Sequence, residues 1–263
     1  MESIAVPTET VAPEGATNAY LVENALVDPA GRTDALDRAV AQRDVDHVLV
    51  THVHPDHVGG VAHYADACDA TVWARAGRER RFADATGVEP DRTFRGGTRV
   101  GPFAVVDTPG HAPDHVALEY GEDLLTGDLV VAEGSVVVAG RRVDREGAAH
   151  PATGEGDVRS YLTSLRRLHA RDPATLHPGH GPAIDAPRAQ IRRLIDHRLA
   201  REERVVDAVR SGARTLADVT DAAYDKDVSN VRSLAEATVA AHLEKLDAEG
   251  AVAWDGRRAE PRT

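Results

Sequence analysis

The sequence has little of several features that would restrict its location and chemistry. Cys68 is its only cysteine, which excludes an intramolecular disulfide and fits a reducing compartment. No apolar run approaches the roughly 20 residues of a membrane-spanning helix, and the first residues lack the basic region and long apolar run of a signal peptide. The sequence therefore predicts a cytoplasmic protein with no membrane partner.

Aromatic residues and lysines are also scarce. Aromatics make up 4% of the 263 residues, so the core must be filled mainly by Val, Leu, Ile and Ala, and the length suits one large α/β domain plus a small second one. Lys226 and Lys245 are the only lysines, and the formal net charge is −12. Residues 183–263 are nearly neutral, with 15 acidic and 14 basic residues. This part of the chain therefore has little of the positive charge that drives binding to nucleic acid.

Histidine and aspartate are concentrated in one short stretch of the chain. Thr51 to Gly60 reads T-H-V-H-P-D-H-V-G-G and follows an apolar run of strand length at Val45 to Val50. Alternate residues of an extended segment can direct two imidazoles at one ion, and the next two candidate ligands lie in a turn set by Pro55. Imidazole nitrogens and carboxylate oxygens are ligands that divalent transition ions prefer. The stretch therefore predicts a metal site at the end of a buried strand.

Three later motifs also follow short apolar segments that are predicted as strands. T-P-G-H at 108–111 follows the predicted strand Phe103–Val106, and Gly127-Asp128 follows Leu124–Thr126. H-P-G-H-G at 177–181 ends another short strand, and either of its histidines could be a ligand. A further predicted strand, 136–139, follows the second of these motifs, and residues 141–156 form a polar insertion without an assigned structure. Strand ends are where open α/β folds place their chemistry, so these motifs are expected to converge.

The order H-x-H-x-D-H, T-P-G-H, G-D and H-P-G-H-G resembles the metallo-β-lactamase superfamily over roughly residues 15 to 182. The resemblance implies an α/β fold, a four-layer αββα sandwich, and a hydrolase with two Zn²⁺ ions per chain, although manganese or iron would suit the same ligands. It assigns the first ion to His52, His54 and His111, the second to Asp56, His57 and His180, and both to a bridging Asp128. Asp56 would also orient the hydroxide between the ions.

The resemblance also implies supporting roles for four other residues around the ions. Asn18 and Asp28 would lie at the rim of the site or behind its ligands, although a turn Asn and a strand-ending Asp explain them equally well. His115 and His177 would support the ligands without binding an ion themselves.

The tail predicts a second, smaller domain. Apolar residues at helical spacing predict helices over 187–210, 216–224 and 231–249, and 251–254 followed by Asp255-Gly256 predicts a strand and hairpin turn. This order resembles a winged helix. We therefore expect a hydrolase domain over 1–182 and a winged-helix-like domain over 183–263, in an oligomeric state that the sequence leaves open, a dimer included.

Three functions remain open from the sequence. T-P-G-H-A-P-D-H and the tail resemble the β-lactamase-like protein 2 family and imply a single-stranded RNA endoribonuclease that uses a metal-bridging hydroxide. T-H-x-H-x-D-H-V-G-G also resembles glyoxalase II, a hydroxyacyl thioester hydrolase, although Asp114 departs from the Gly usual there. The third is a non-enzymatic nucleic-acid-binding protein that uses metal only for folding, which the full ligand set disfavours. The substrate would thus be a small ester or thioester, or single-stranded RNA.

Overall fold

The computed structural model describes residues 1–10, 12, 14–140 and 155–262. The chain divides into two compact units. The first comprises Met1–Thr108, Asp114–Gly134 and Arg171–Gln190, and the second comprises Pro109–Pro113, Ser135–Ala170 and Ile191–Thr263.

Two sheets form the first unit. The six strands of one sheet pair in chain order, and they are β1 (Glu2–Pro7), β2 (Ala16–Val22), β3 (Ala25–Val27), β4 (His47–Leu49), β5 (Thr71–Arg75) and β6 (Arg92–Phe94). The other sheet contains β7 (Arg99–Val100), β8 (Phe103–Asp107), β9 (Val116–Tyr120), β10 (Asp123–Gly127) and β11 (Thr175–Pro178), in the order β11-β10-β9-β8-β7. Strands β3 to β6 run parallel to one another, as do β10 and β11, so the ends that carry the motifs point the same way within each sheet.

Alternation along the strands of the first sheet builds two separate cores. In β2, Ala19 and Leu21 pack into one core while Tyr20 and Val22 pack into the other. The core that contains Tyr20 is shared with the second sheet, through residues such as Phe103. The two sheets therefore pack face to face, as the period of two along each strand requires.

Helices cover the outer face of the first sheet. They are α1 (Asp34–Val40), α2 (Pro55–Val58), α3 (Val61–Cys68) and α4 (Glu79–Thr86). The side chain of Thr33 accepts a hydrogen bond from the backbone of Leu36 and thus caps α1. Pro55 is the first residue of α2, where its missing N–H costs nothing. The turn predicted at Pro55 is therefore one turn of helix.

The second unit contains most of the remaining helices and a hairpin. Its elements are α5 (Val158–Arg171), α6 (Pro187–Arg210), α7 (Leu216–Ala223), α8 (Arg232–Ala248), β12 (Val252–Trp254) and β13 (Ala259–Pro261). The last residue of α5 and the first four residues of α6 belong to the first unit. Thr215 and Asp218 form a capping box that starts α7. The antiparallel pair of β12 and β13 is the predicted hairpin, and its apolar residues share a core with α6, α7 and α8.

Three parts of the structure differ from the sequence predictions or lie beyond them. The charged region 75–99, which has no regular apolar period in the sequence, contains α4 and the short strands β6 and β7. The prediction of a strand over 136–139 is wrong, because those residues are extended but belong to no sheet. The unassigned insertion 141–156 lies outside the described residues except at 155 and 156. None of the helices in the described part of the chain combines the length and apolarity needed to cross a bilayer.

Candidate metal centre

Strand ends bring most of the predicted ligands together within the first unit. Strand β4 ends shortly before His52 and His54, and the one-turn helix α2 carries the next two motif residues. Strand β10 ends directly before Asp128, and β11 ends two residues before His180. Because β10 and β11 are parallel neighbours, their carboxyl ends deliver Asp128 and His180 to the same edge.

Two groups of side chains in the first unit could each hold a metal ion. The first group is His52, His57 and Asp128, and the second is Asp56, His57 and His180. In each group the ligand atoms lie within 4.8 Å of one another. Oδ1 of Asp128 lies 3.4 Å from Nε2 of His57 and 3.4 Å from Nε2 of His180. Nε2 of His180 lies 3.5 Å from Oδ2 of Asp56. Asp128 thus lies close to ligand atoms of both groups, which a bridging ligand requires.

The segment that carries His52 and His54 is held by buried polar contacts. Nε2 of His52 lies 3.0 Å from Nδ1 of His54, so the two rings of the H-x-H pair meet. Between them, the backbone N–H of Val53 donates to Oδ2 of Asp114 at 2.9 Å. The other oxygen of Asp114 accepts from Nε of Arg81 at 3.1 Å. Asp114, which departs from the glyoxalase II pattern, therefore fixes the backbone between two predicted ligands.

Asp28 connects the start of the motif to His57. Its carboxylate accepts hydrogen bonds from the backbone N–H of Thr51 at 2.6 Å and from the Thr51 hydroxyl at 2.8 Å. Oδ2 of Asp28 also lies 3.0 Å from Nδ1 of His57, and both side chains are buried. The position of Asp28 behind a ligand imidazole, one of the two open interpretations of the sequence, is confirmed.

In His57 and His180, a contact at Nδ1 fixes the orientation of the ring and so determines where Nε2 points. Because Nδ1 of His57 faces a carboxylate, its Nε2 is the nitrogen that points to the cluster. Nδ1 of His180 donates to the carbonyl of Ala16 at 2.8 Å, which likewise leaves Nε2 to face Asp56 and Asp128. In the neutral form of each ring, the proton therefore lies on Nδ1 and the lone pair of Nε2 faces the cluster.

His115 supports Asp128 from behind. The backbone N–H of Asp128 donates to Nε2 of His115 at 3.2 Å, so the proton of a neutral His115 ring lies on Nδ1 and is donated to the hydroxyl of Thr108 at 2.9 Å. Gly127, directly before Asp128, has a φ of +45°, and a Cβ there would lie 2.5 Å from the Thr51 hydroxyl. A glycine is therefore needed for the approach that places Asp128. His115 thus lies behind the predicted ligand Asp128, as the sequence predicts, and its supporting role at an ion stays a prediction.

The carboxylates dominate the electrostatics of the cluster. Burial lowers the pKa of His57, but the charges of Asp128 and Asp28, with the hydrogen bond to Asp28, outweigh burial and hold that pKa well above its ordinary value. Burial also opposes the charge of His180, and the hydrogen bond and charge of Asp128, with the Ala16 carbonyl, raise its pKa above the ordinary value. The site therefore favours added positive charge, which a divalent cation supplies.

The residues present fit a transition-metal ion. Nε2 of His57 is buried, and it has no hydrogen-bond partner among the described residues, although it lies near Asp128. A Cβ on Gly179 would lie 2.7 Å from both Oδ1 of Asp128 and Cε1 of His57, so a larger residue there would fill the space beside the ligand atoms. Three imidazoles and two carboxylates are the donor set that suits zinc, iron or manganese.

The structure brings six of the seven predicted ligands together within the first unit: His52, His54, Asp56, His57, Asp128 and His180. The seventh, His111, belongs to the second unit, where its Nδ1 donates to the carbonyl of Val137 at 2.8 Å. Its part in the ligand set stays a prediction of the motif.

His177 and Asn18, the other two residues expected around the ions, have different kinds of contact. Nε2 of His177 lies 3.3 Å from Oδ2 of Asp123, which is not a predicted ligand, so a supporting role for His177 at the ions finds no contact here. The side-chain amide of Asn18 donates to the carbonyls of Pro178 and Gly181, on either side of His180. Asn18 thus holds the loop that carries a predicted ligand.

The comparisons with known proteins agree with this geometry. The family model of the metallo-beta-lactamase superfamily matches residues 12–180, and that of the beta-lactamase associated winged helix domain matches residues 215–259. Two proteins named beta-lactamase-like protein 2 homolog, from Caenorhabditis elegans and Drosophila melanogaster, are 28% and 30% identical over 79% and 78% of this chain, and 67% and 70% of theirs. Thioesterase pkgB of Emericella nidulans is 34% identical over 61% of this chain and 42% of its own.

Solved structures share the same fold. A metallo-beta-lactamase family protein from Thermus thermophilus matches with a TM-score of 0.76 at 24% identity, over 99% of this chain and 98% of that one. A protein crystallised in a di-iron-bound form matches with a TM-score of 0.51 at 30% identity, over 72% of this chain and 98% of that one. The predicted fold class is confirmed. The chain belongs to the metallo-β-lactamase superfamily of hydrolases and carries its associated C-terminal winged-helix domain.

Proposed function

We propose that this protein is a binuclear metal-dependent hydrolase that cleaves an acyl thioester. The observation that carries the proposal is the convergence, within the first unit, of two groups that could each hold an ion and that share His57. A single structural ion would need only one such group. The Asp128 carboxylate, 3.4 Å from Nε2 of both His57 and His180, supports a pair of neighbouring ions.

The proposed ligand assignment follows the motifs. His52, His54 and His111 would hold one Zn²⁺, Asp56, His57 and His180 the second, and Asp128 would bridge them. Bound in this way, the ions would lower the pKa of a coordinated water and polarise the carbonyl that it attacks. Asp28 and the carbonyl of Ala16 contact Nδ1 of His57 and of His180, which leaves Nε2 of each ring to face an ion.

Asp56 is the proposed catalytic carboxylate. Its side chain is 15% exposed, whereas that of His57 beside it in α2 is fully buried, so a substrate approaching from solvent can reach Asp56. A carboxylate at this position can orient the attacking water and accept its proton. The first turn of α2 holds Asp56 next to His180.

A thioester is favoured by a relative and by the electrostatics of the tail. The Emericella nidulans relative is named a thioesterase, and this supports the second of the three functions left open by the sequence. The C-terminal part carries 15 acidic and 14 basic residues, which is a weak basis for binding a polyanion. We propose the predicted division into a hydrolase domain over 1–182 and a winged-helix-like domain over 183–263 as the working domain boundary.

Cleavage of single-stranded RNA is the second candidate, favoured by the match to a winged-helix domain. Winged helices and their relatives read nucleic acid with the third helix of the motif, which here is α8. Seven consecutive residues of α8, 237 to 243, are buried, and they make almost two full turns. The middle of α8 therefore has no exposed face to offer to a nucleic acid.

One parallel assay separates the candidates. The zinc-loaded full chain is incubated with a lactoyl thioester and, separately, with unstructured RNA. Asp56→Asn is assayed in the same way, and the control is Asp66→Asn, whose carboxylate lies on the exposed face of α3. We expect thioester cleavage, a loss of about 100-fold or more in Asp56→Asn, and no change in Asp66→Asn. Cleavage of RNA alone would establish the second candidate, and retention of RNA without cleavage of either substrate would establish the non-enzymatic one.

A further inference from the structure

The extended segment Ser135–Gly140 contacts a predicted metal ligand within the second unit. Its carbonyl at Val137 accepts the hydrogen bond from Nδ1 of His111 at 2.8 Å. Val136 and Val138 on either side are buried. No described strand pairs with this segment, so its position must be fixed by other contacts.

The C-terminal helices supply those contacts. The backbone N–H of Gly140 donates to the carbonyl of Ala237 in α8 at 2.9 Å. A Cβ on Gly140 would lie 2.3 Å from the backbone nitrogen of Ala241, so the segment lies directly against the α8 backbone. From α6, the guanidinium of Arg198 donates to the carbonyl of Val136. One end of the segment is thus held by α6 and the other by α8.

Arg198 is one of two buried arginines of α6, the other being Arg201, which donates to the carbonyl of Ala223. Only 2% of Arg198 is exposed, and its guanidinium lies 5.2 Å from the ring centre of Tyr161 in α5, over the ring. Burying a charged group costs free energy unless partners compensate for its lost hydration. The carbonyl that Arg198 bonds belongs to the peptide joining Val136 to Val137, directly before the carbonyl that holds His111.

Helix α5 and the residue directly before it hold the backbone of the loop that carries His111. The hydroxyl of Ser164 donates to the carbonyl of Pro109 at 2.7 Å, and the backbone N–H of Asp157 donates to the carbonyl of Gly110 at 2.8 Å. These bonds fix the main chain of the loop. The carbonyl of Val137 adds a hydrogen bond to the His111 ring itself.

We propose that Arg198, together with α8, positions the His111 imidazole through residues 135–140. A hydrogen bond from Nδ1 to a carbonyl fixes the tautomer whose Nε2 lone pair can bind an ion. Arg198 is thus a positioning residue, and the C-terminal helices support the metal chemistry rather than forming an independent appendage. The inference rests on the proposed function in that it takes His111 as a ligand.

The test compares metal binding by full-length variants. Arg198→Met keeps the apolar stem and removes the donors, whereas Arg198→Lys keeps a charged donor. His111→Ala removes the predicted ligand, and Arg192→Met, at an exposed arginine of the same helix, is the control. Each is titrated with Co²⁺, and the visible absorption spectrum and the affinity are measured. We expect Arg198→Met to change the spectrum and to weaken binding of one ion about 10- to 100-fold, Arg198→Lys to recover part of the loss, and Arg192→Met to match the parent.

The outcomes separate this inference from the proposed function. An unchanged spectrum in His111→Ala would show that His111 is not a ligand and would overturn this inference, while the two groups of the first unit that carry the proposed function would still stand. A changed spectrum in His111→Ala with an unchanged one in Arg198→Met would overturn the positioning role alone.

A second measurement needs no variant and is independent of whether Arg198→Met folds. Imidazole ¹⁵N NMR on the metal-free parent chain reports the tautomer of His111. A proton on Nδ1 supports the inference, whereas a proton on Nε2 or rapid exchange between the two nitrogens overturns it.

Discussion

Oδ2 of Asp28 lies 3.0 Å from Nδ1 of His57, and neither side chain has appreciable access to solvent. The same carboxylate receives the backbone N–H and the hydroxyl of Thr51. One buried aspartate therefore joins the residue before the H-x-H pair to the imidazole that belongs to both metal groups. In all three of these contacts, the Asp28 carboxylate is the hydrogen-bond acceptor.

Replacing Asp28 tests this arrangement. Asparagine has one acceptor oxygen where aspartate has two, so Asp28→Asn must turn an NH₂ group toward one of its donors. We expect a loss of about 1–3 kcal/mol in the free energy of unfolding and of about 10- to 100-fold in zinc affinity. Chemical denaturation and zinc titration measure the two. The control is Asp69→Asn, because Asp69 has the same φ of 50° but is exposed, and an equal loss there would contradict the explanation.

Asp114→Ala tests the support of the H-x-H segment. The substitution leaves the buried N–H of Val53 without its acceptor and Arg81 without its carboxylate. We expect about 1–3 kcal/mol of destabilisation in urea unfolding, together with weaker metal binding. Asp84→Ala removes the carboxylate of an exposed pair with Arg80 and should cost less than about 1 kcal/mol. Equal effects of the two substitutions would show that the contact with Val53 is unimportant.

A histidine of α6 gives the fold a dependence on pH. Burial, with the charges of Arg198, Arg201, Arg193 and Arg204, lowers the pKa of His197 to about 4. Because the folded pKa lies below the unfolded value of about 6.5, the unfolded chain binds the proton more readily, and stability falls as the pH drops from about 6.5 toward 4.

Urea unfolding of the metal-free chain between pH 4 and 7 measures this effect. His197→Gln should flatten the fall in stability, whereas His63→Gln, on the more exposed α3 surface, should leave it as in the parent. Identical profiles for His197→Gln and the parent would refute the assignment.

Removing metal tests the electrostatics of the site. Without cations, the carboxylates of Asp56 and Asp128 lie close together with no metal charge to offset their own. The raised pKa values of His57 and His180 show that the site favours added positive charge. We expect a chelator to lower the melting temperature of the parent by several degrees and to abolish hydrolysis, and added Zn²⁺ to restore both. A chain with Asp128→Ala should show a smaller shift. An equal shift in that variant would place the stabilising ion elsewhere.

Much of the site could be predicted from the sequence because its ligands follow strand ends in short, dense motifs. His52 to His57, Asp128 and His180 lie within one unit as the motifs imply, and the tail forms the predicted helices and hairpin. The support given by Asp114 was not predicted, because the contact with Val53 joins residues 61 apart in the chain. No local pattern encodes such a contact.

Residues 136–139 show why the strand prediction failed there. The apolar run V-V-V-A is typical of a buried strand, but its carbonyls accept hydrogen bonds from the Arg198 side chain of α6, His111 and the backbone N–H of Gly156. An apolar run predicts burial and does not predict which groups bond to the backbone. Strands β6 and β7 were missed for the opposite reason, because three and two residues are too short for a period to be read.

The most direct test of the central claim is a zinc titration of the metal-free full chain by calorimetry, with the bound metal counted by mass spectrometry. The proposed site predicts two ions per chain in the parent and fewer than two in His57→Ala, because His57 belongs to both groups. The exposed control His63→Ala should retain two. A parent chain that folds but binds no zinc, or a His57→Ala chain that still binds two ions with parental affinity, would contradict the account.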